Sequence, residues 1–187
     1  CFGLLERIAR SRGALAQFLQ HHSLHCVFQP VVRLSDGQVF AHEALIRGPA
    51  GTSFSSPDAI FAAAQNENII REIESLCLIV AIRCWVAQQR QGRLFLNISA
   101  NALIDANRSG QISLWLNLAS RLGLQSRRVV LEITEHERVA DMDELEQVAS
   151  ALRIHGLGLA LDDFGDGRSS LRLWSQVKPE FVKTDKY

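Results

Sequence analysis

The feature that most restricts this chain is its change of rhythm, from a strand pair to an alternation of helices and short apolar strands. Residues 26–34 read as a strand, with Pro30 marking an edge position. Ser35-Asp36-Gly37-Gln38 is a hairpin turn signal, and residues 39–46 form the antiparallel return strand. After that, helices and strands take turns. Ser56-Pro57 starts a helix with proline at its first position, running to about Asn66. From 69 to 89 the apolar residues Ile69, Ile73, Leu76, Cys77, Val80 and Cys84 recur at helical spacing, and Trp85 reads as core. Strands are predicted at 94–98, 129–134 and 181–185, with another running from Leu157 to its end at Asp162-Asp163. A helical turn is predicted at 100–105, and helices at 112–122, 141–155 and 170–176, with Gly123 and Gly156 as stops. A hairpin followed by strand–helix alternation implies a parallel sheet, either a barrel or a doubly wound sheet.

Composition narrows the class. With 187 residues, 47% of them hydrophobic and 21% charged, the chain suits one globular domain. The main domain is read as 25–187. Residues 1–24, interrupted by Gly13, are read as a linker helix. Lys+Arg and Asp+Glu both number 20, so no basic field favours a nucleic-acid polymer. No apolar run reaches membrane-spanning length and no leader pattern is visible, so a cytoplasmic location is expected. The start at Cys1 suggests a piece of a longer protein. Cys1, Cys26, Cys77 and Cys84 form no C-x-x-C pair and read as reduced thiols. The histidines lack zinc-ligand spacing, and His21, His22 and His25 read as a solvated helix end.

The chemistry lies where strands break their own pattern. Glu43, Asn97, Glu132, the pair Asp162-Asp163 and Lys183 each sit where a core strand should be apolar. Buried ion pairs, Glu43–Arg47 and Lys183–Asp185 among them, are one reading. The other is a convergence. In a parallel barrel the C-terminal strand ends meet on one rim, where active sites are built. Carboxylates gathered there repel each other unless cations intervene, and oxygen-only ligands favour Mg²⁺, Mn²⁺ or Ca²⁺. Adjacent aspartates suit a two-metal site that activates water against phosphodiesters. Lys183 would then orient that water, and Arg47 would grip phosphate oxygens through its planar fork.

These residues carry a resemblance. Glu43-Ala44-Leu45-Ile46-Arg47 resembles the signature of the EAL family, bacterial phosphodiesterases that linearise cyclic di-GMP. Phe28-Gln29-Pro30-Val31-Val32 is similar to that family's opening strand. Leu96-Asn97-Ile98-Ser99, Leu131-Glu132-Ile133-Thr134-Glu135, Asp162-Asp163-Phe164-Gly165 and Lys183-Thr184-Asp185 resemble its later motifs in order. The resemblance implies an α/β fold, a TIM-like barrel with an antiparallel first strand. It implies Glu43, Asn97, Glu132 and Asp162 on one metal, and Asp162 with Asp163 around a second. Lys183 and Glu43 would be catalytic, and Gln29, Arg47 and Asp185 would contact cyclic di-GMP. Mg²⁺ or Mn²⁺ would support turnover, with Ca²⁺ giving an inhibited state. A homodimer through the loop after Asp163 is implied. An upstream sensor or a downstream GGDEF domain would be a common companion.

Some features depart from the family pattern. Asp166 and Arg168 replace small polar and aromatic residues in the loop, and Glu74 stands where an aspartate is usual. Such barrels typically take about 250 residues, so a chain of about six strands is expected to be truncated, with further site residues beyond Tyr187 and little activity of its own. Two other readings remain. One is an inactive EAL module that binds cyclic di-GMP or a protein. The other is an aldolase-like lyase, which would need no Gln29–Arg47 pairing around a nucleotide.

Overall fold

The structure, a computed structural model, describes residues 2–33, 35–134, 139–163 and 168–183. The chain divides into two compact units, residues 1–30 with 43–90, and 31–42 with 91–187.

The first unit is helical around two strand segments. It holds α1 (Phe2–Arg10), α2 (Ala14–His21), α3 (Pro57–Asn66) and α4 (Ile70–Ala87). It also holds most of β1 (His25–Val32) and the second half of β2 (Val39–Arg47). The predicted N-terminal helix is interrupted at residues 11–13, and Glu67 explains where α2 restarts. Its Oε1 accepts from Leu15 N at 2.7 Å and its Oε2 from Ala16 N at 3.2 Å, filling orphan donors of the first turn. A Cβ at Gly13 would lie 1.9 Å from Glu67 Cδ, so a side chain there would expel the capping carboxylate. Ser56 caps α3 by accepting from Ala59 N at 3.3 Å, with Pro57 at the first helical position as read from the sequence. α4 buries Ile73, Cys77, Leu78, Ala81, Ile82 and Trp85, and the Phe28 ring meets Trp85 edge-on at 5.5 Å.

The second unit carries the sheet. β3 (Arg93–Asn97), β4 (Val129–Thr134), β5 (Gly158–Asp162) and β6 (Phe181–Val182) pair in parallel. The whole strand order is β1-β2-β3-β4-β5-β6. That order decides between the two architectures left open by the pattern. A doubly wound sheet reverses its order at a switch point. Here each strand is added beside the last in one direction, and right-handed crossovers then place the helices on one face. This is barrel winding. The helices of this unit are α5 (Ala100–Arg108), α6 (Gln111–Arg121), α7 (Met142–Ile154) and α8 (Arg168–Val177).

At the hairpin, Arg33 N donates to Gln38 O and Gly37 N to Arg33 O, both at 2.8 Å. Gly37 has φ +67°, the left-handed conformation a tight hairpin turn demands. β4 is buried on both sides from Val129 to Ile133, as a parallel strand covered on both faces should be. On one face Ala41, Phe95, Val130 and Ala160 form an apolar cluster, with Val31, Phe40 and Phe181 packed against it. No helix among the described residues is long and apolar enough to cross a membrane.

Candidate metal centre

Directly beyond that apolar cluster the same strands turn polar. Side chains two apart on a strand share a face. Asn97 stands two after Phe95, Glu132 two after Val130, Asp162 two after Ala160 and Lys183 two after Phe181. The register agrees, since Asn97 pairs with Glu132 and Thr134 with Asp162. One apolar layer thus supports one polar layer at the C-terminal ends of parallel strands, where barrel sites are found.

Glu132 is the most constrained member, fully buried at 0% exposure in the middle of an apolar strand. Its backbone carbonyl accepts from Ile98 N at 3.0 Å. Lys183 Nζ lies 2.5 Å from its Oε1 and 3.4 Å from Asp162 Oδ2. Lys183 is itself held by its main chain, its N–H donating to Leu161 O at 2.8 Å. Asp162 is half-buried and Asn97 exposed.

The donor set fits a hard cation. Glu132 and Asp162 each offer a carboxylate oxygen within 4.8 Å of the other. Hard cations bind oxygens at about 2.0–2.6 Å, so two donors on one ion lie at most about 5 Å apart. Asp163 follows in the left-handed region, φ +56°, which aspartate tolerates better than most residues. In a regular strand its carboxylate would point away from that of Asp162. The turn in the main chain at Asp163 ends that alternation.

The other expected site residues belong to the helical unit or lie outside the described residues. Glu43, two residues after Ala41 on β2, is half-buried and begins the β2 segment of the helical unit. Gln29 is exposed on β1 and Arg47 half-buried on β2, both in that unit. Arg47 Nη1 donates to Ile46 O at 2.7 Å. Asp185 and the loop at 164–167 lie outside the described residues.

Two contributors carry no distinguishing sequence pattern. Asn101, in the first turn of α5, accepts from Ala140 N at 2.9 Å and anchors the far end of the β4–α7 connection at this rim. Glu180 accepts from Leu159 N at 2.7 Å, while its own N–H donates to Leu159 O at 3.0 Å. That exchange sets the register that delivers Lys183.

Comparison with known proteins agrees with this geometry. The EAL domain family matches residues 12–187. The probable cyclic di-GMP phosphodiesterase PdeB of Escherichia coli K12 is 27% identical over 98% of this chain and 36% of its own length. The cyclic di-GMP phosphodiesterase NbdA of Pseudomonas aeruginosa is 29% identical over 92% of this chain and 22% of its own length. The chain therefore spans about a third or less of these curated relatives. Among solved structures, a standalone EAL protein from Vibrio cholerae O395 in its c-di-GMP-bound form superposes with TM-score 0.73. It is 26% identical, over 88% of this chain and 67% of the other. Klebsiella pneumoniae BlrP1 in a manganese/c-di-GMP complex gives TM-score 0.72 at 29% identity, covering 87% of this chain and 40% of the other. Motif order, strand order and a family match from residue 12 to the last residue converge, and the chain belongs to the EAL domain family.

Proposed function

We propose that this domain hydrolyses cyclic di-GMP to the linear dinucleotide with the help of divalent cations, Mg²⁺ or Mn²⁺. The observation that carries the reading is the buried Glu132 beside Asp162 and Lys183 at the strand ends. An ionised carboxylate is costly to bury without a cation or a tight pair. Relatives named as cyclic di-GMP phosphodiesterases supply the substrate, and the manganese and calcium complexes of BlrP1 supply the class of metal.

In this reading Glu43, Asn97, Glu132 and Asp162 hold one cation, and Asp162 and Asp163 face a second. Glu43 is included because it stands two residues past Ala41, as the other polar residues stand past their own apolar-layer neighbours. Bound cations would lower the pKa of a water molecule and neutralise charge on the phosphodiester. Lys183 orients the attacking water by donating to it. Gln29, Arg47 and Asp185 hold the nucleotide, Arg47 through phosphate oxygens. Water adds to phosphorus, the P–O3′ bond breaks, and the 3′-hydroxyl leaves. A homodimer through the loop after Asp163 belongs to the same proposal. Leu171 and Trp174, both exposed on α8 just beyond that loop, would suit such a contact. A cytoplasmic location and sensor or GGDEF companions belong to the same proposal.

The test is hydrolysis of cyclic di-GMP with Mn²⁺, followed by chromatography of the products. Asp162→Asn is expected to lower turnover by roughly a hundredfold or more, the scale for removing charge stabilisation. Undiminished turnover in that variant would overturn the assignment. Tight binding of cyclic di-GMP without any cleavage by the wild type would mark a receptor instead.

A further inference from the structure

Lys183 and the expected cation draw on the same carboxylates. Glu132 is fully buried on β4, and its Oε1 lies 2.5 Å from Lys183 Nζ. The ammonium also reaches Asp162 Oδ2 at 3.4 Å. It therefore bridges the two carboxylates that the metal-centre reading assigns to a divalent ion. Two cations held within a few ångströms of each other in a protected site repel strongly. The lysine main chain is pinned by the donation from its N–H to Leu161 O at 2.8 Å. What remains free to move is its four-carbon stem, which rotates readily, and the side chain is 29% exposed.

We propose that Lys183 and the divalent cation compete for Glu132 and Asp162. Lys183 is the counter-ion of the buried carboxylate whenever the cation is away. Arrival of the cation drives the ammonium off Glu132 toward the exposed side of the site, the side from which water and substrate enter. This gives Lys183 a second role beside orienting water. It stands as the counter-ion of Glu132 until the metal arrives, and its displacement couples metal loading to its own placement. The proposal rests on Glu132 and Asp162 being cation ligands.

The experiment measures Mn²⁺ binding by calorimetry and thermal midpoints with and without Mn²⁺, in the wild type, Lys183→Met and Lys183→Arg. Competition requires Lys183→Met to bind Mn²⁺ more tightly, on the order of tenfold for a removed neighbouring charge. Its midpoint should rise further with Mn²⁺ than that of the wild type, while Lys183→Arg behaves like the wild type. Equal or weaker binding by Lys183→Met would overturn the proposal, because a lysine that merely supports the metal site would help the metal. Should Lys183→Met fail to fold, acylation of the wild type with an N-hydroxysuccinimide acetate decides, read by mass spectrometry. Lys183 labelling should increase on adding Mn²⁺ relative to the exposed Lys178, and an unchanged or reduced ratio would refute displacement. A wild type that binds no Mn²⁺ at all sinks the metal-centre reading itself, a separate result.

Discussion

Burial pushes the Cys26 thiol up to about 12, with Cys84 adding to the effect and the Leu45 N–H and the Arg47 and Arg90 charges opposing it. Cys77 is likewise pushed up to about 12, by burial first and then by the Glu74 carboxylate and Cys26. The thiolate is the reactive form, so both residues should stay protonated and inert in the folded protein at pH 8. A disulfide reagent such as DTNB is expected to leave Cys26 and Cys77 unmodified until denaturant is added. Rapid modification of either in the native state would contradict this environment. The absence of C-x-x-C pairs and, for Cys77, the helical spacing already point to reduced buried thiols. The same kind of residue-level reasoning found Glu132. A carboxylate in a strand of valines, leucine and isoleucine has no structural excuse, and the structure shows why it is tolerated: an ammonium lies 2.5 Å away.

The least regular strand, β6, spans only Phe181–Val182, and Glu180 secures it. Burial alone would raise the Glu180 carboxyl, but donation from Leu159 N and the Arg153 guanidinium outweigh it and hold it below its ordinary value. Arg153 Nε lies 2.8 Å from Glu180 Oε1, and its Nη2 also donates to the Val177 and Lys178 carbonyls. A carboxyl whose folded pKa is depressed stabilises the fold above its unfolded pKa, and the benefit disappears as pH falls through the folded one. Urea unfolding should therefore show the wild type more stable than Glu180→Gln at pH 6, with the gap closing toward pH 3. A gap that does not change with pH would rule this out. Elements elsewhere show where sequence patterns fell short. Residues 100–105 read as a short helical turn, since Asn and Asp are indifferent helix formers, yet α5 runs from Ala100 to Arg108. Ser99 caps it through Ala102 N at 3.1 Å, and Ala102, Leu103, Ile104 and Ala106 are buried. Tertiary burial overrode weak propensity there.

Across the sheet, the proposed site rests on a layer that no single strand contains. Ala160 is fully buried among Phe95, Val130 and Phe181, and Asp162 stands two residues beyond it. Enlarging it should disturb the floor on which the polar layer rests. Ala160→Leu is expected to cost about 1–3 kcal/mol, the usual penalty of overpacking, measured by urea denaturation. A variant as stable as the wild type would show the layer to be looser than described. The sequence by itself determined the strand–helix rhythm, the hairpin, the polar residues that interrupt apolar strands and the order of the family motifs. Each of these is a local pattern, set by backbone periodicity and by the cost of burying charge. Periodicity left barrel and doubly wound sheet open, because it says nothing about which strands become neighbours, while the family motifs implied the barrel. The tertiary structure shows the neighbours directly, through an unreversed strand order and a register that pairs Asn97 with Glu132 and Thr134 with Asp162. It alone also showed which partner Lys183 takes, because a long side chain finds its counter-ion through contacts between residues 51 positions apart (132 to 183).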